Sequence, residues 1–113
     1  MASEKIFENK IKKHLEERGC YYVKFFANSY TKIGVPDILA SVNGRFVAIE
    51  VKAKNGRPSE LQKLNRKQIR DSGGISIILY PSQFEDFKLL IDDLLNNRNF
   101  SVIYEEQKNF DKK

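Results

Sequence analysis

The chain carries one cysteine, one histidine, three prolines and no tryptophan in 113 residues. A single thiol, Cys20, excludes an intramolecular disulfide framework and suits a reducing compartment. Cys20 opens the apolar run CYYVKFF, where a buried structural thiol is expected rather than a nucleophile. With His14 the sole histidine, no histidine-based triad or zinc site can be built, and packing or surface exposure is its expected role. No apolar run is long enough to span a membrane, and the charged start lacks the apolar core of a secretory signal. A cytoplasmic location is expected. A glycine-rich phosphate loop is also missing, because Gly34, Gly44, Gly56 and the Gly73-Gly74 pair fall at turns and caps.

What is present is an ordinary globular composition, 41% apolar and 31% charged, with a net charge of +5. The charge is uneven. Residues 1–84 hold 15 Lys/Arg against 8 Asp/Glu, and residues 85–113 hold 5 against 7. That basic excess suits a polyanionic partner, nucleic acid first, and equally a merely solubilising surface.

SEKIFENKIKKHLEERG predicts a helix capped at Ser3 and stopped at Gly19. Phe7, Ile11 and Leu15 form one buried stripe at i, i+4 and i+8. Glu8 lies about 60° from the centre of that stripe, where it either stays solvated or reaches inward. Residues 20–27 read as an aromatic strand, 28–34 as a loop, and 36–42 with 45–53 as a hairpin. A second helix spans 57–72, with Pro58 in its first turn and Ser59 or Glu60 at its start. ISIILY (75–80) is a fully apolar strand of the buried type, and residues 82–97 form an amphipathic helix. FSVIY (100–104) has the composition of an edge strand. The order αβββαβα predicts an α/β sandwich around a mixed sheet, one domain over residues 1–105, with 106–113 a flexible tail.

The hairpin carries the chemistry. Asn43-Gly44 between apolar runs predicts a two-residue type I′ loop, so Val42 faces Arg45. The same register sets Asp37 opposite Glu50, with Cβ atoms about 4.5–5.5 Å apart, and Lys52 on their face. A slip of one residue would separate the pair. Ile38, Ala40, Val42, Val47, Ile49 and Val51 fall on the other face as a core surface. Two carboxylates facing each other are destabilising unless a cation lies between them. A divalent ion such as Mg²⁺ accounts for the pair, because it takes a few carboxylates, waters and phosphate oxygens. Lys52 is then placed to orient a water or stabilise charge on a phosphate.

Pro36-Asp37 and, 13 residues on, Glu50-x-Lys52 resemble the signature of the PD-(D/E)xK nuclease superfamily. The stretch FENKIKKHLEERGCYYVKFFA, with GVPDILASVNGRFVAIEVKAKNGRPSELQ, is similar to small Holliday-junction resolvases and standalone phage-type VRR-NUC domains. The resemblance implies a restriction-endonuclease-like αβββαβ core with a mixed central sheet, flanking helices and a C-terminal helix. It implies catalytic roles for Glu8, Asp37, Glu50, Lys52 and Gln62, with Asp37, Glu50, the Val51 carbonyl and Glu8 around the metal. Lys24 and Ser29 correspond to positions that contact DNA. Lys63, Arg66, Lys67 and Arg70 share one face of the second helix and, with Lys54, form a candidate phosphate track.

The resulting expectation is a Mg²⁺-dependent endodeoxyribonuclease, with Mn²⁺ able to substitute, acting on branched DNA. Two coordinated nicks call for a homodimer. A phage-encoded enzyme of this kind would work in the host cytoplasm. Two alternatives stand beside it: a VRR-NUC-type nuclease acting on duplex, flap or nicked DNA, and a DNA-binding module that does not cleave.

Overall fold

The computed structural model describes residues 2–26, 32–96 and 99–111. Four strands, β1 (Tyr21–Lys24), β2 (Ile38–Val42), β3 (Arg45–Val51) and β4 (Ile75–Leu79), form one sheet in the order β1-β2-β3-β4. The first three run antiparallel, and β4 lies parallel to β3. Around it stand α1 (Ala2–Glu17), α2 (Glu60–Asp71), α3 (Phe84–Asn96) and α4 (Phe100–Gln107). The fold is α/β and restriction-endonuclease-like, with a mixed sheet between helices.

The hairpin register is the one the Asn-Gly turn dictates. Val42 pairs with Arg45 and Ile38 with Ile49. Asn43 (φ 52°) and Gly44 (φ 80°) both take the left-handed conformation that a type I′ turn requires. The six apolar residues assigned to the core face are all buried. They join one cluster with Phe7, Ile11 and Leu15 of α1 and Phe87, Leu90, Ile91 and Leu94 of α3. Each such side chain contributes about 1.5–3 kcal/mol by leaving water. Cys20 is buried as expected.

The ends of elements differ from the sequence reading. Ser3 is not the cap of α1, since the helix already begins at Ala2. β1 stops at Lys24 rather than continuing through the aromatics to residue 27. Pro58 lies outside α2; Ser59 is its N-cap, in a reciprocal capping box with Gln62.

The largest correction is at residues 100–104, which form a helix rather than an edge strand. Asn99 caps it by accepting hydrogen bonds from the Ser101 and Val102 N–H groups. Ile103, Gln107 and Phe110 are buried at helical spacing, a pattern that overrides the β propensity of Val102 and Ile103. The free edge of β4 needs no further strand. The Ser76 N–H donates to Gln107 Oε1, and the Ser76 carbonyl accepts from Arg70. A 3-10 turn, Lys108–Asp111, follows and buries Phe110, so residues 106–111 are packed where a loose tail is expected.

Gly34 fixes the approach to the hairpin. Its φ is +85°, and a Cβ there would lie 2.7 Å from the Leu61 carbonyl carbon and oxygen in α2. The Asn65 amide ties the same contact by donating to the Ile33 carbonyl. Gly34→Ala should therefore cost about 2–4 kcal/mol in denaturant unfolding, from strain and backbone overlap together.

Candidate active site

Asp37 stands one step beyond the last β2–β3 pair, Ile38 with Ile49. There its side chain replaces the ladder. Oδ2 accepts the Val51 N–H at 2.8 Å, while its carbonyl accepts the Phe25 N–H at 2.8 Å. These bonds hold the carboxylate at the open end of the sheet, beside the last residues of β3.

Glu50 is buried, 5% exposed, on the strand that feeds this end. Burial pushes its carboxyl up, the Asp37 charge pushes it further, and the result is a pKa of about 8 despite Lys52. Glu50 Oε2 accepts from Gln62 Nε2 at 2.9 Å and lies 3.6 Å from Lys52 Nζ. Its Oε1 is buried without a hydrogen-bond partner. Such an atom is costly to leave unmatched, and it marks where a proton or a cation belongs.

Gln62 serves both helix and site. Its Oε1 accepts the Ser59 N–H at 2.8 Å, and its Nε2 reaches Glu50. Gln62→Ala should weaken the start of α2 by about 1 kcal/mol. It should also lower cleavage 10–100-fold by freeing Glu50, roughly the effect of losing a group that orients a ligand. Thermal unfolding and single-turnover cleavage measure the two separately.

Glu8 reaches inward and is 6% exposed. Burial pushes its carboxyl up, but Lys24 and Lys12 outweigh that and hold it below the usual range. Lys24 Nζ lies 2.9 Å from Glu8 Oε1 and 3.5 Å from Asp37 Oδ1, so Glu8 meets the site through a lysine rather than directly. Lys12, 3.0 Å from Glu8, was not foreseen, although its i+4 spacing from Glu8 was the available signal.

The basic residues of α2 are engaged within the chain. Lys63 pairs with Glu60, Lys67 with Asp71, and Arg66 with Asp111. Arg70 grips Asp111 through both terminal nitrogens while also bonding the Ser76 carbonyl. Arg66 and Arg70 thus anchor the C-terminal turn. Lys54 is exposed just past β3, and Ser29 lies outside the described residues.

Among the described residues, no three His, Cys, Asp or Glu side chains gather as a ready-made metal cage. Two carboxylates converge, one with an unmatched buried oxygen, beside the Val51 main chain. That set suits a hard divalent cation that keeps several waters and meets a phosphate. The model of the archaeal Holliday junction resolvase family, Hjc, matches residues 3–108. The chain belongs to the Hjc family. Membership makes it a resolvase-like nuclease domain with DNA as its ligand, in keeping with the Asp37, Glu50, Lys52 arrangement. No curated protein and no solved structure matches it. No helix among the described residues of this Hjc-family chain is long and apolar enough to cross a membrane.

Proposed function

We propose that the protein is a Mg²⁺-dependent endodeoxyribonuclease that resolves four-way DNA junctions, with Mn²⁺ able to substitute. The observation that carries this reading is the buried Glu50, its Oε1 unmatched, set against Asp37 in a chain of the Hjc family. A divalent cation held by Asp37, Glu50 and the Val51 carbonyl would supply Lewis-acid activation of water and charge neutralisation at the scissile phosphate. Asp37 is aimed by the Val51 N–H, and Glu50 by Gln62. Lys52, whose side chain is 16% exposed, donates from Nζ to the attacking water or to a phosphate oxygen. Lys24 screens Asp37 and Glu8 from one another, and Glu8 keeps that ammonium in place.

Two symmetric nicks across a junction require two such centres, so the working form is a homodimer. The test is cleavage of a labelled four-way junction beside matched duplex, flap, nicked and single-stranded DNA. Paired nicks confined to the junction support resolution. Cutting of the other substrates at equal rate would keep the nuclease and remove the junction preference. Metal-supplied binding without any cutting would leave a DNA-binding module.

A further inference from the structure

The helix α1 has a second functional flank. Between α1 and α3 lies a cavity of about 320 Å³ lined by Lys10, Lys13, His14, Glu17, Phe84 and Lys88. It is separate from the site at Asp37 and Glu50, none of whose residues lines it. Three lysines face one glutamate there. Lys10 and Lys13 are exposed and, unlike the cations of α2, have no carboxylate partner among the described residues. Lys88 pairs with Glu85 at 3.0 Å, an exposed i,i+3 contact that holds it weakly.

His14 lines the cavity beside the lysines. His14 packs edge-on against Phe84 and Phe87, and its Nε2 is buried without a hydrogen-bond partner. Lys10 and Lys88 stand over the Phe84 ring, 4.8 and 5.1 Å from its centroid. The ring face is therefore taken by ammonium groups, which excludes it as a stacking platform for a base. What remains is a pocket rich in donors and poor in acceptors, the chemistry that takes a phosphate.

We infer that this cavity is a second DNA-backbone site, holding a phosphate of an arm that leaves the active site across α1. The inference rests on the nuclease reading and names a contact of that enzyme with its substrate. Along the helix axis Lys10 and Lys13 are only about 3 and 7.5 Å from Glu8, and roughly 140–160° around it. A strand crossing α1 travels about one helix diameter, ~10–12 Å, or some three nucleotides at 3.4 Å each. Lys10 and Lys13 then meet the backbone, and Lys88 closes from α3 beside His14. The positive charge of Lys10 and Lys13, which no carboxylate among the described residues pairs, positions the arm.

The test uses the whole chain, a labelled four-way junction and EDTA, comparing wild type with the double variant Lys10→Ala/Lys13→Ala. Both positions are exposed, so the fold is retained, and a thermal scan verifies it. The slope of log K against log salt should fall by about 1.8, two contacts at ~0.9 each. Affinity at physiological salt should drop at least tenfold. Single-turnover cleavage at saturating enzyme should stay within twofold, because neither lysine touches the reacting atoms. NMR signals of the only histidine should shift when junction is added to wild type. An unchanged salt slope in the double variant, or an unshifted His14 signal, overturns this site while leaving the nuclease intact. Wild type that binds no DNA at all would remove the proposed function, and this site with it.

Discussion

Asp37→Asn should reduce metal-dependent cleavage of a four-way junction by at least about 10³-fold, some 4 kcal/mol of transition-state stabilisation. The fold should survive. Asn Oδ1 can still accept the Val51 N–H, the bond that holds the end of the hairpin, and Lys24 keeps its partner in Glu8. What disappears is the negative charge beside Glu50. That charge is the second-largest cause of the raised Glu50 carboxyl, after burial, so the variant should also bring Glu50 back toward the ordinary range. Single-turnover kinetics and a carboxyl titration by NMR check the two halves of this expectation. Cleavage at wild-type rate would show that Asp37 is structural and that the catalytic centre lies elsewhere.

The second large effect is on stability against pH, in the absence of divalent metal. Glu50 has a folded pKa of about 8 against an ordinary value near 4.5. The folded state therefore holds the proton more tightly than the unfolded state. The stability this provides is fully present below about pH 4.5 and is lost as the pH rises through about 8. At pH 9 the loss should be on the order of 3 kcal/mol, below the full linkage value because Asp37 and Lys52 readjust. That corresponds to a fall of roughly 10 °C in Tm. Glu106, raised to about 7 by burial and then by Asp93, acts with the same sign, so the slope of wild type is a composite. Glu50→Gln isolates the site. The amide can still accept from Gln62 and carries no charge to ionise, so this variant should be more stable than wild type at pH 9 and inactive. A variant that is inactive and equally pH-sensitive would place the raised carboxyl somewhere other than Glu50.

These expectations share one physical source, a site assembled at the expense of stability. Two acids held together, with Glu50 out of water, oppose folding. Their conflict with local preference is what made them visible in the sequence. The Asn43-Gly44 turn set a register, the register set Asp37 beside Glu50, and the structure has that register. Gln62 was legible only by resemblance, because nothing in helix periodicity says that a capping glutamine reaches across to β3. Glu8 was ambiguous, since its angle on α1 allowed either solvent or site. The cations from another turn and another strand, Lys12 and Lys24, settled it. Tertiary pairing is likewise what the spacing on α2 hid. Arg66 and Arg70 share a basic face, yet Asp111, some forty residues on, takes both. Residues 100–104 misled through β propensity, because the stripe that overrules it extends to Phe110, beyond the window in which it was read.

The central claim is that Asp37 and Glu50 together hold a divalent cation. The most direct measurement is Mn²⁺ binding to the protein without DNA, followed by EPR at near-neutral pH for wild type, Asp37→Asn and Glu50→Gln. The account predicts a bound-ion signal in wild type, with release of a proton as Glu50 ionises, and loss of that signal in both variants. Mn²⁺ bound equally by all three proteins would contradict it.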